Sequence, residues 1–220
     1  RGQESCGIVC SDRSNVRKYI GMGLVVVYFT EEMLTELKGD IAIGHVRYST
    51  TGNSTLLNAQ PIVSGSYRGT TAIAHNGNIT NAKQIRDRLE RKGSLFQSTS
   101  DSEVLIHLIA HSQKENFEEA VFEAVNQLDG AFSFLMMKKN KLIAIRDPYG
   151  FRPLSLGYLD GGHVVASETC AFDIIDAEYI RDIEPGEMLV IDETGIRQFW
   201  PFKEKNAVKK ASCIFELIYF

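Results

Sequence analysis

The sequence predicts an α+β domain of layered antiparallel sheets, and three observations support this prediction. Apolar runs with strand character outnumber helical patterns along the chain. Short segments rich in Gly, Pro, Asn and Asp separate most of these runs, which favours turns between antiparallel neighbours. Two or three amphipathic segments are long enough to pack as helices on the sheets.

The first eighty residues are predicted to form strands joined by a helix and a polar loop. A helix is predicted over 30–38, where Thr30 can cap the first turn and Glu31 and Glu32 occupy it. The segment 51–66 contains Gly, Asn and Pro and is predicted to be a loop. A valine-rich apolar run covers 21–29. Strands are predicted at Ser5–Ser11, 41–46 and 70–75.

Helices and then strands are predicted in the rest of the chain. One helix is predicted over 81–92, with Gly93 as its stop, and another over 115–128. Between them, Ser100-x-x-Glu103 is predicted to be a capping box that opens a helix ending at His111. Strands are predicted at 131–137, 142–146, 154–158, 163–167 and 187–192.

Composition and charge exclude several classes of function. The chain is 44% hydrophobic and 24% charged, with a net charge of −4 and scattered Lys and Arg, which argues against a nucleic-acid partner. No apolar run is long enough to cross a bilayer, and no signal peptide is evident. We therefore expect a cytoplasmic protein with reduced, buried thiols. The four cysteines are Cys6, Cys10, Cys170 and Cys213.

Three short motifs supply groups that suit a free amino acid. Arg47 offers a guanidinium for a carboxylate, and Asp101 offers a carboxylate for an ammonium group. Asn76 and Gly77 offer an amide and a backbone N–H that can stabilise an oxyanion on a side-chain carbonyl. The motifs are Gly-His-Val-Arg-Tyr-Ser-Thr at 44–50, Ala-His-Asn-Gly-Asn at 74–78 and Ser-Asp-Ser-Glu at 100–103.

Each of these groups also has a purely structural interpretation, and the residues alone leave both open. Asn76-Gly77 after a strand is the strongest short signal for a hairpin turn. Arg47 fits a surface arginine, and Asp101 fits a carboxylate that stabilises a helix N-terminus. His45 and His75 are predicted to be hydrogen-bonded core histidines.

With these motifs the chain resembles the Cys-type N-terminal-nucleophile glutamine amidotransferases. Within them it is most similar to the amidophosphoribosyltransferases, and this likeness covers the whole chain in order. The stretches that carry it are the opening Arg-Gly-Gln-Glu at 1–4, Arg-Asp-Pro-Tyr-Gly-Phe-Arg-Pro-Leu at 146–154, Ala-Ser-Glu-Thr-Cys-Ala-Phe at 166–172, Glu-Pro-Gly-Glu-Met at 184–188 and Cys-Ile-Phe-Glu-Leu-Ile-Tyr-Phe at 213–220.

The resemblance implies a fold and a reaction. The fold is a four-layer αββα sandwich of two antiparallel sheets that spans residues 1–220, here without its first strand and without a C-terminal phosphoribosyltransferase domain. The reaction is hydrolysis of glutamine to glutamate and ammonia. The absent domain would add that ammonia to phosphoribosyl pyrophosphate and so make phosphoribosylamine, the first committed step of de novo purine synthesis.

By motif position, the resemblance implies roles for five residues around the substrate. Arg47 would bind the glutamine carboxylate and Asp101 the α-amino group, with Thr50 also binding substrate. Asn76 and Gly77 would form the oxyanion hole.

Residues near the chain ends are also implied. Arg1 and Gly2 would line the site, and Tyr219 would lie near the border with the absent domain. Cys213 matches one iron–sulfur ligand of some members, whose other ligands to a [4Fe–4S] cluster would be in that domain. No cofactor is implied for this domain; Mg²⁺ would bind in the absent one, and the full-length protein would be a homo-oligomer.

The nucleophile of this family is an N-terminal cysteine, and its α-amino group serves as the base. Cys6-Gly7-Ile8 imitates the usual opening. However, the Arg-Gly-Gln-Glu segment normally follows the catalytic cysteine, and a strand and a helix would be missing between Cys6 and Arg47. We therefore expect the nucleophile to be absent and the chain alone to lack glutaminase activity.

Two alternatives remain beside this interpretation. The chain could be the amidotransferase half of a hexosamine-phosphate synthase, although that family usually has Arg-Trp where this chain has Arg47-Tyr48. It could also be a non-catalytic glutamine-binding or regulatory module.

Overall fold

A computed structural model of the protein describes residues 4–48, 55–202 and 211. The strands in these segments are β1 Ser5–Ser11, β2 Val16–Met22, β3 Ile41–Arg47, β4 Ile62–Ser66, β5 Gly69–Ile79, β6 Gly130–Lys138, β7 Lys141–Arg146, β8 Ser155–Leu159, β9 Gly162–Ala166, β10 Glu178–Asp182, β11 Met188–Asp192 and β12 Gly195–Phe199. The helices are α1 Val25–Tyr28, α2 Glu31–Glu36, α3 Ala82–Glu90, α4 Glu103–His111, α5 Phe117–Val125 and α6 Cys170–Ile175, with a 3-10 turn at Leu56–Asn58.

The strands form one large sheet and two small ones. The large sheet has the order β12-β11-β7-β6-β5-β4, and the small sheets have the orders β2-β1-β3 and β10-β8-β9. Every paired strand is antiparallel to its neighbour. The predicted α+β class with antiparallel sheets is therefore confirmed.

Three apolar cores hold the layers together. Helices α3, α4 and α5 cover one face of the large sheet through residues such as Val104, Val121 and Phe132. The other face packs on both small sheets, through Val9 and Ile43, among others, in one core and through Leu154 and Ile183, among others, in a second. Leu135 of β6 contacts both of these cores. The order of layers is helices, large sheet, small sheets.

The short helices α1 and α6 contact the small sheets. Tyr28 of α1 donates its hydroxyl to the carbonyl of Ile20 in β2. The buried ring of Phe172 in α6 lies against Gly157 in β8. In the described segments, no helix is long and apolar enough to span a membrane.

All the predicted strands and helices overlap an observed element of the same type, but some elements were missed. The predicted loop 51–66 is wrong at its end, where Ile62–Ser66 forms β4. Its pattern of Ile, Val, Ser, Gly and Ser gave no strand signal, since pairing with β5 supplies the stability. The other missed elements are β2, α1, α6, β10 and β12.

The predicted Asn-Gly turn is also wrong. Strand β5 continues through Asn76 and Gly77, which pair with Ser133 and Phe132 of β6. Gly77 has a φ of +148°, and an added Cβ would lie 2.1 Å from the carbonyl oxygen of Ala131. The glycine is therefore required by the close approach of β6, not by a reversal of the chain.

The predicted capping box is the third correction. Ser102, the residue before α4, has helical backbone angles and makes no side-chain cap. The Glu103 carboxylate instead accepts hydrogen bonds from the backbone N–H groups of Gln97 and Ser98 and from the Ser98 hydroxyl. It thus fixes the loop before the helix.

The approach of β5 to β6 gives a prediction at Gly130, which has a φ of +131°. A Cβ there would lie 2.2 Å from the Asn78 carbonyl oxygen. We expect Gly130→Ala to lower the free energy of unfolding by about 2–4 kcal/mol, since left-handed backbone strain adds to the clash. Urea denaturation measures this change. Gly65→Ala is the control, because nothing lies within 4 Å of its added Cβ; equal losses would contradict the argument.

Candidate functional site

A cavity of about 570 Å³ lies among β3, the middle of β5, the start of α4 and the β9–α6 connection. It is lined by Gly44, His45, Val46, Arg47, Tyr48, Gln60, His75, Asn76, Gly77, Ser100, Asp101, Arg152, Ala166, Ser167, Glu168 and Ala171. Four predicted site residues, Arg47, Asn76, Gly77 and Asp101, therefore share one cavity. The remaining predicted ones lie outside the described residues: Arg1, Gly2, Thr50, Tyr219 and Cys213.

Arg47 is the last residue of β3 and forms part of the cavity wall. Its side chain is only 7% exposed, and its Nη1 lies 3.8 Å from Glu4 Oε2. A guanidinium this deeply buried is stable only beside anions or acceptors that replace its water shell. The cavity thus has a fixed cation with a planar fork that matches a carboxylate.

The alternation of β5 decides which backbone groups face the cavity. The backbone groups of odd-numbered residues in β5 point toward β4 and form hydrogen bonds with it. The pairing of the two strands stops at Ile62 and Ile73. Beyond that point the N–H of His75 donates to Gln60 Oε1 (2.7 Å), and the N–H of Ile79 donates to Asp101 Oδ2 (2.9 Å). Gly77 lies between these two residues in the same alternation. Its N–H therefore projects from this edge, and Gly77 lines the cavity.

Asn76 completes the donor pair. It lines the cavity beside Gly77, and its side-chain amide makes no hydrogen bond to any residue in the described segments. The amide is therefore available to a ligand. Two neighbouring N–H donors of this kind can stabilise an oxygen that becomes negative in a transition state.

Asp101 supplies the negative charge of the cavity. Its Oδ2 accepts from Ile79, and its Oδ1 accepts from the Ser102 hydroxyl at 3.3 Å. Burial raises the pKa of Asp101, but the nearby His75 ring and these hydrogen bonds outweigh burial, and the pKa is lowered. Asp101 is thus ionised at neutral pH. Its predicted alternative role in a capping box is replaced by an anchor to β5.

His75 is a core residue, as predicted. Its ring stacks on Phe134 with centroids 4.4 Å apart. Its Nδ1 lies 2.8 Å from Ser102 Oγ, which itself donates to Asp101. A hydroxyl that donates to the carboxylate must accept from the imidazole, so His75 carries its proton on Nδ1. The chain His75–Ser102–Asp101 orients the carboxylate.

His45 has the opposite tautomer. Its Nε2 lies 3.1 Å from the carbonyl oxygen of His75, which can only accept, so Nε2 carries the proton. Its Nδ1 is buried and has no hydrogen-bond partner in the described segments. Burial lowers the pKa of His45 to about 4, despite the bond to His75. A neutral His45 therefore holds the peptide group that precedes Asn76.

Glu103 fixes the other side of the site. Burial raises the pKa of Glu103, but His107, the Ser98 hydroxyl and two backbone N–H groups outweigh burial and lower the pKa to about 2. This buried carboxylate ties the loop 97–98 to the start of α4. Asp101 lies between these two points and is held in place by both.

The chain with this cavity is similar to known proteins in both sequence and structure. Residues 45–173, more than half of the chain, match the family described as the glutamine amidotransferase domain. The chain belongs to this family.

The curated relatives of this amidotransferase domain include amidophosphoribosyltransferases. The chain is 48% identical over 224 residues to amidophosphoribosyltransferase 2, chloroplastic, of Arabidopsis thaliana, and 42% identical over 221 residues to the amidophosphoribosyltransferase of Bacillus subtilis. All of the chain is covered in both alignments, but only 39% and 46% of these two relatives. The chain thus spans less than half the length of these relatives.

Solved structures give the same result. The chain is 42% identical, with a TM-score of 0.93, to glutamine phosphoribosylpyrophosphate amidotransferase from B. subtilis complexed with ADP and GMP. This match covers all of the chain and 47% of that protein. A predicted glutamine amidotransferase from Pseudomonas aeruginosa, at 14% identity and a TM-score of 0.59, covers 88% of the chain and 86% of that protein and shows the fold alone. The predicted N-terminal-nucleophile type of fold is confirmed.

The thiols of this amidotransferase domain lie outside the cavity wall in the described segments. Cys6 is buried within β1, between Gly21 and Val46 of the neighbouring strands, and burial raises its pKa. A buried thiol with a raised pKa is a poor nucleophile, which agrees with the rejection of Cys6. Cys10 is buried as predicted, whereas Cys170 is exposed, so the prediction of a buried thiol is wrong there.

Sequence reasoning missed one wall of the cavity, formed by Arg152, Ser167 and Glu168. The stretches 146–154 and 166–172 carry the family resemblance, but the sequence alone assigns them no role. Arg146 explains part of the wall: it donates to the carbonyls of Arg152, Gly150 and Ile183 at 2.6–3.0 Å. The sequence signal that could have indicated this loop is Arg146-Asp147-Pro148 at the end of a predicted strand.

The loop after β7 is held from both sides. Buried Asp147 accepts backbone N–H bonds from Phe132, Tyr149, Gly150 and Phe151. Together with Arg146, this carboxylate satisfies the backbone of a tight loop and so fixes the position of Arg152.

In the described segments, no group of three or more His, Cys, Asp and Glu side chains suits a metal ion.

The lowered pKa of His45 predicts how stability depends on pH. Its folded-state pKa of about 4 lies below the ordinary value of 6.5. Between these pH values the unfolded chain binds a proton that the folded chain does not, so stability falls as the pH drops from 6.5 through 4. We expect His45→Gln to remove this part of the pH dependence and to keep an N–H donor near the His75 carbonyl.

His45→Leu is the matched variant. It leaves that buried carbonyl without its donor, and we expect it to lower the free energy of unfolding at pH 7.5 by about 1–3 kcal/mol more than His45→Gln does. Urea denaturation of the protein and both variants at pH 7.5 and pH 5 measures these effects. Identical pH profiles for the protein and His45→Gln would contradict the lowered pKa of His45.

Proposed function

We propose that this chain is the glutaminase domain of an amidophosphoribosyltransferase, which binds glutamine and releases its side-chain nitrogen as ammonia. The observation that carries the proposal is the convergence of Arg47, Asp101 and the Asn76–Gly77 donor pair on one cavity. The names of the relatives, at 42–48% identity, support it. They also favour this interpretation over a hexosamine-phosphate synthase.

The charges of the cavity match the two ends of a free amino acid. The buried guanidinium of Arg47 would pair with the α-carboxylate, and the ionised Asp101 would accept from the α-ammonium group. A peptide-bonded glutamine lacks both charges and would therefore form neither of these two ionic contacts. The site would thus select the free amino acid.

The donor pair would act on the side-chain amide. Attack on this amide converts its carbonyl oxygen into an oxyanion, and the Asn76 amide and the Gly77 N–H would stabilise it. The backbone that carries both donors is fixed before the substrate arrives, since β5 is paired with β6 and held by His45, Gln60 and Asp101. Removal of one such donor typically costs about 3–4 kcal/mol of activation energy.

The nucleophile would come from a segment that precedes Arg1 in a longer polypeptide. Among the described strands, β3 pairs only with β1 and β9 pairs only with β8, and residues of both line the cavity. An extended segment between these two edges would bring an N-terminal cysteine to the donor pair. Its α-amino group would take the thiol proton, and the thiolate would attack the side-chain amide carbon. The proton would pass to the nitrogen as the C–N bond breaks and ammonia leaves, and water would then hydrolyse the thioester to glutamate and the free thiol.

The rest of such a polypeptide would use the ammonia. We propose that a phosphoribosyltransferase domain adds it to phosphoribosyl pyrophosphate with Mg²⁺, and that the full-length protein is a homo-oligomer. Cys213 would be a cluster ligand only if that domain supplies three further thiolates. We also propose a cytoplasmic location. Because the Arabidopsis relative is chloroplastic, recovery of the protein in a plastid fraction after cell fractionation would contradict this proposal.

The first experiment tests binding and hydrolysis separately. We expect the 220-residue chain to bind L-glutamine in a calorimetric titration but not D-glutamine, and to release no ammonia, because loss of the nucleophile costs on the order of a million-fold in turnover. Ammonia release in the usual enzymatic range, abolished by Cys6→Ala, would overturn the nucleophile assignment. In the full-length gene product, glutamine binding without turnover would favour the non-catalytic module.

The second experiment tests the role of Arg47 in the full-length gene product. We expect Arg47→Ala to raise the KM for glutamine about a hundredfold and to leave synthesis from free ammonia intact, because a buried charge pair is lost. Arg47→Lys keeps the charge without the fork and should fall between the two. Arg88→Ala, on the exposed face of α3, is the control. Parallel loss of both activities would make Arg47 a structural residue.

A further inference from the structure

A second cleft, of about 450 Å³, lies at the opposite end of β5 from Asn76. It is lined by Ser14, Asn15, Val16, Lys18, Val63, Arg68, Gly69, Thr70, Lys138 and Lys139. Three hairpin turns meet there, β1–β2, β4–β5 and β6–β7, and the Ser11 hydroxyl ties the first to the third by donating to the Lys139 carbonyl at 2.7 Å. Seven residues of extended strand, about 23 Å, separate Gly69 from Asn76.

The lining of this cleft carries positive charge only. It includes Lys18, Arg68, Lys138 and Lys139 and no Asp or Glu. In the described segments, none of these four cations forms a salt bridge with a carboxylate. The cleft therefore has a positive potential that the protein itself does not neutralise.

The nearby carboxylates are already paired with other cations. Asp12 in the β1–β2 turn binds Arg17 at 2.7 Å. Glu118 of α5 binds Lys141 at 2.7 Å and lies 3.6 Å from Arg197. Because these partners compete for them, the carboxylates are not available to the four cations of the cleft.

Two of the four cations are fixed in position. The terminal nitrogens of Arg68 donate to the carbonyls of Ser112, Lys114 and Glu115, while its Nε is buried and has no hydrogen-bond partner in the described segments. The ammonium of Lys138 lies 3.8 Å from the centre of the Phe117 ring. Burial, followed by the positive charges of Lys141 and Arg68, lowers the pKa of Lys138. Crowded cations of this kind are stabilised by a bound anion.

We propose that this cleft binds a small molecule that carries a phosphate or diphosphate group. The four cations would neutralise the anion, and the side chains of Ser14, Asn15 and Thr70 offer uncharged hydrogen-bond donors beside them. Val16 and Val63 give an aliphatic surface for an organic body, and the volume lies within the range of small-molecule sites. The glutamine cavity plays no part in this proposal.

Calorimetric titration of the protein with inorganic pyrophosphate tests the proposal. We expect saturable binding at one site per chain, weakened by added salt. The double variant Lys138→Gln/Lys139→Gln should raise the dissociation constant at least about tenfold, since half of the charge is removed. Lys83→Gln, an exposed lysine of α3, is the matched control and should bind as the unchanged protein does.

Thermal unfolding provides a second readout that also checks the fold of the variants. Pyrophosphate should raise the melting temperature of the protein and of Lys83→Gln equally, and should raise that of the double variant less at the same concentration. Binding that is non-saturable, or that is weakened equally by Lys83→Gln, would overturn the proposal in favour of diffuse charge. Tighter binding of a poly-glutamate peptide than of pyrophosphate would overturn it in favour of an acidic protein segment.

Discussion

The edge of β5 beyond its pairing with β4 is the constraint on which the cavity at Arg47, Asn76 and Asp101 depends. Strand β4 accompanies β5 only as far as Ile73, and beyond that point Ala74, His75 and Ile79 are buried. Buried backbone groups must find partners, and here side chains supply them. Gln60 accepts from the His75 N–H, His45 donates to the His75 carbonyl, and Asp101 accepts from the Ile79 N–H. These three side chains also line the cavity, so the groups that stabilise the strand are the groups that build the site.

The same arrangement explains how opposite charges persist in one small volume. Arg47 and Asp101 do not neutralise each other, because each is held by its own element. Arg47 ends β3, with Glu4 beside it, and Asp101 is tied to β5 and to Ser102. Glu103 then fixes the loop from which Asp101 projects. The energetic cost of this preorganisation is met during folding, so both charges are in position before any ligand enters the cavity.

The sequence was sufficient to predict the elements with regular patterns. Strands such as β6 and β7 and helices such as α5 follow from local periodicity, because each buries one face. Strand β2 contains Arg and Lys and was missed because its stability comes from pairing with β1. The short helix α1 was missed because its valines are poor helix formers and lie exposed.

The site residues were predictable by type and motif, but their local structure was not. Asn76-Gly77 has the composition of a turn, and only the contact of Gly77 with Ala131 of β6 shows why a strand needs glycine there. Ser100-x-x-Glu103 has the composition of a capping box, yet the Glu103 carboxylate bonds backward to Gln97 and Ser98. Tertiary contacts prevailed over local propensity in both motifs. The Arg152 wall depends on a contact across 37 residues of sequence, from Arg146 to Ile183, which no local pattern encodes.

The packing of two small sheets on one large sheet has a mechanical consequence. The strands of the small sheets do not pair with each other in the described segments, so no ladder of hydrogen bonds sets the width of the gap between them. That width depends on apolar packing against a shared base around Leu135. Such packing is non-directional, so a shift of one small sheet along the base would break no strand pair between sheets. A ligand or a strand that bridges the gap would therefore fix the position of one small sheet relative to the other.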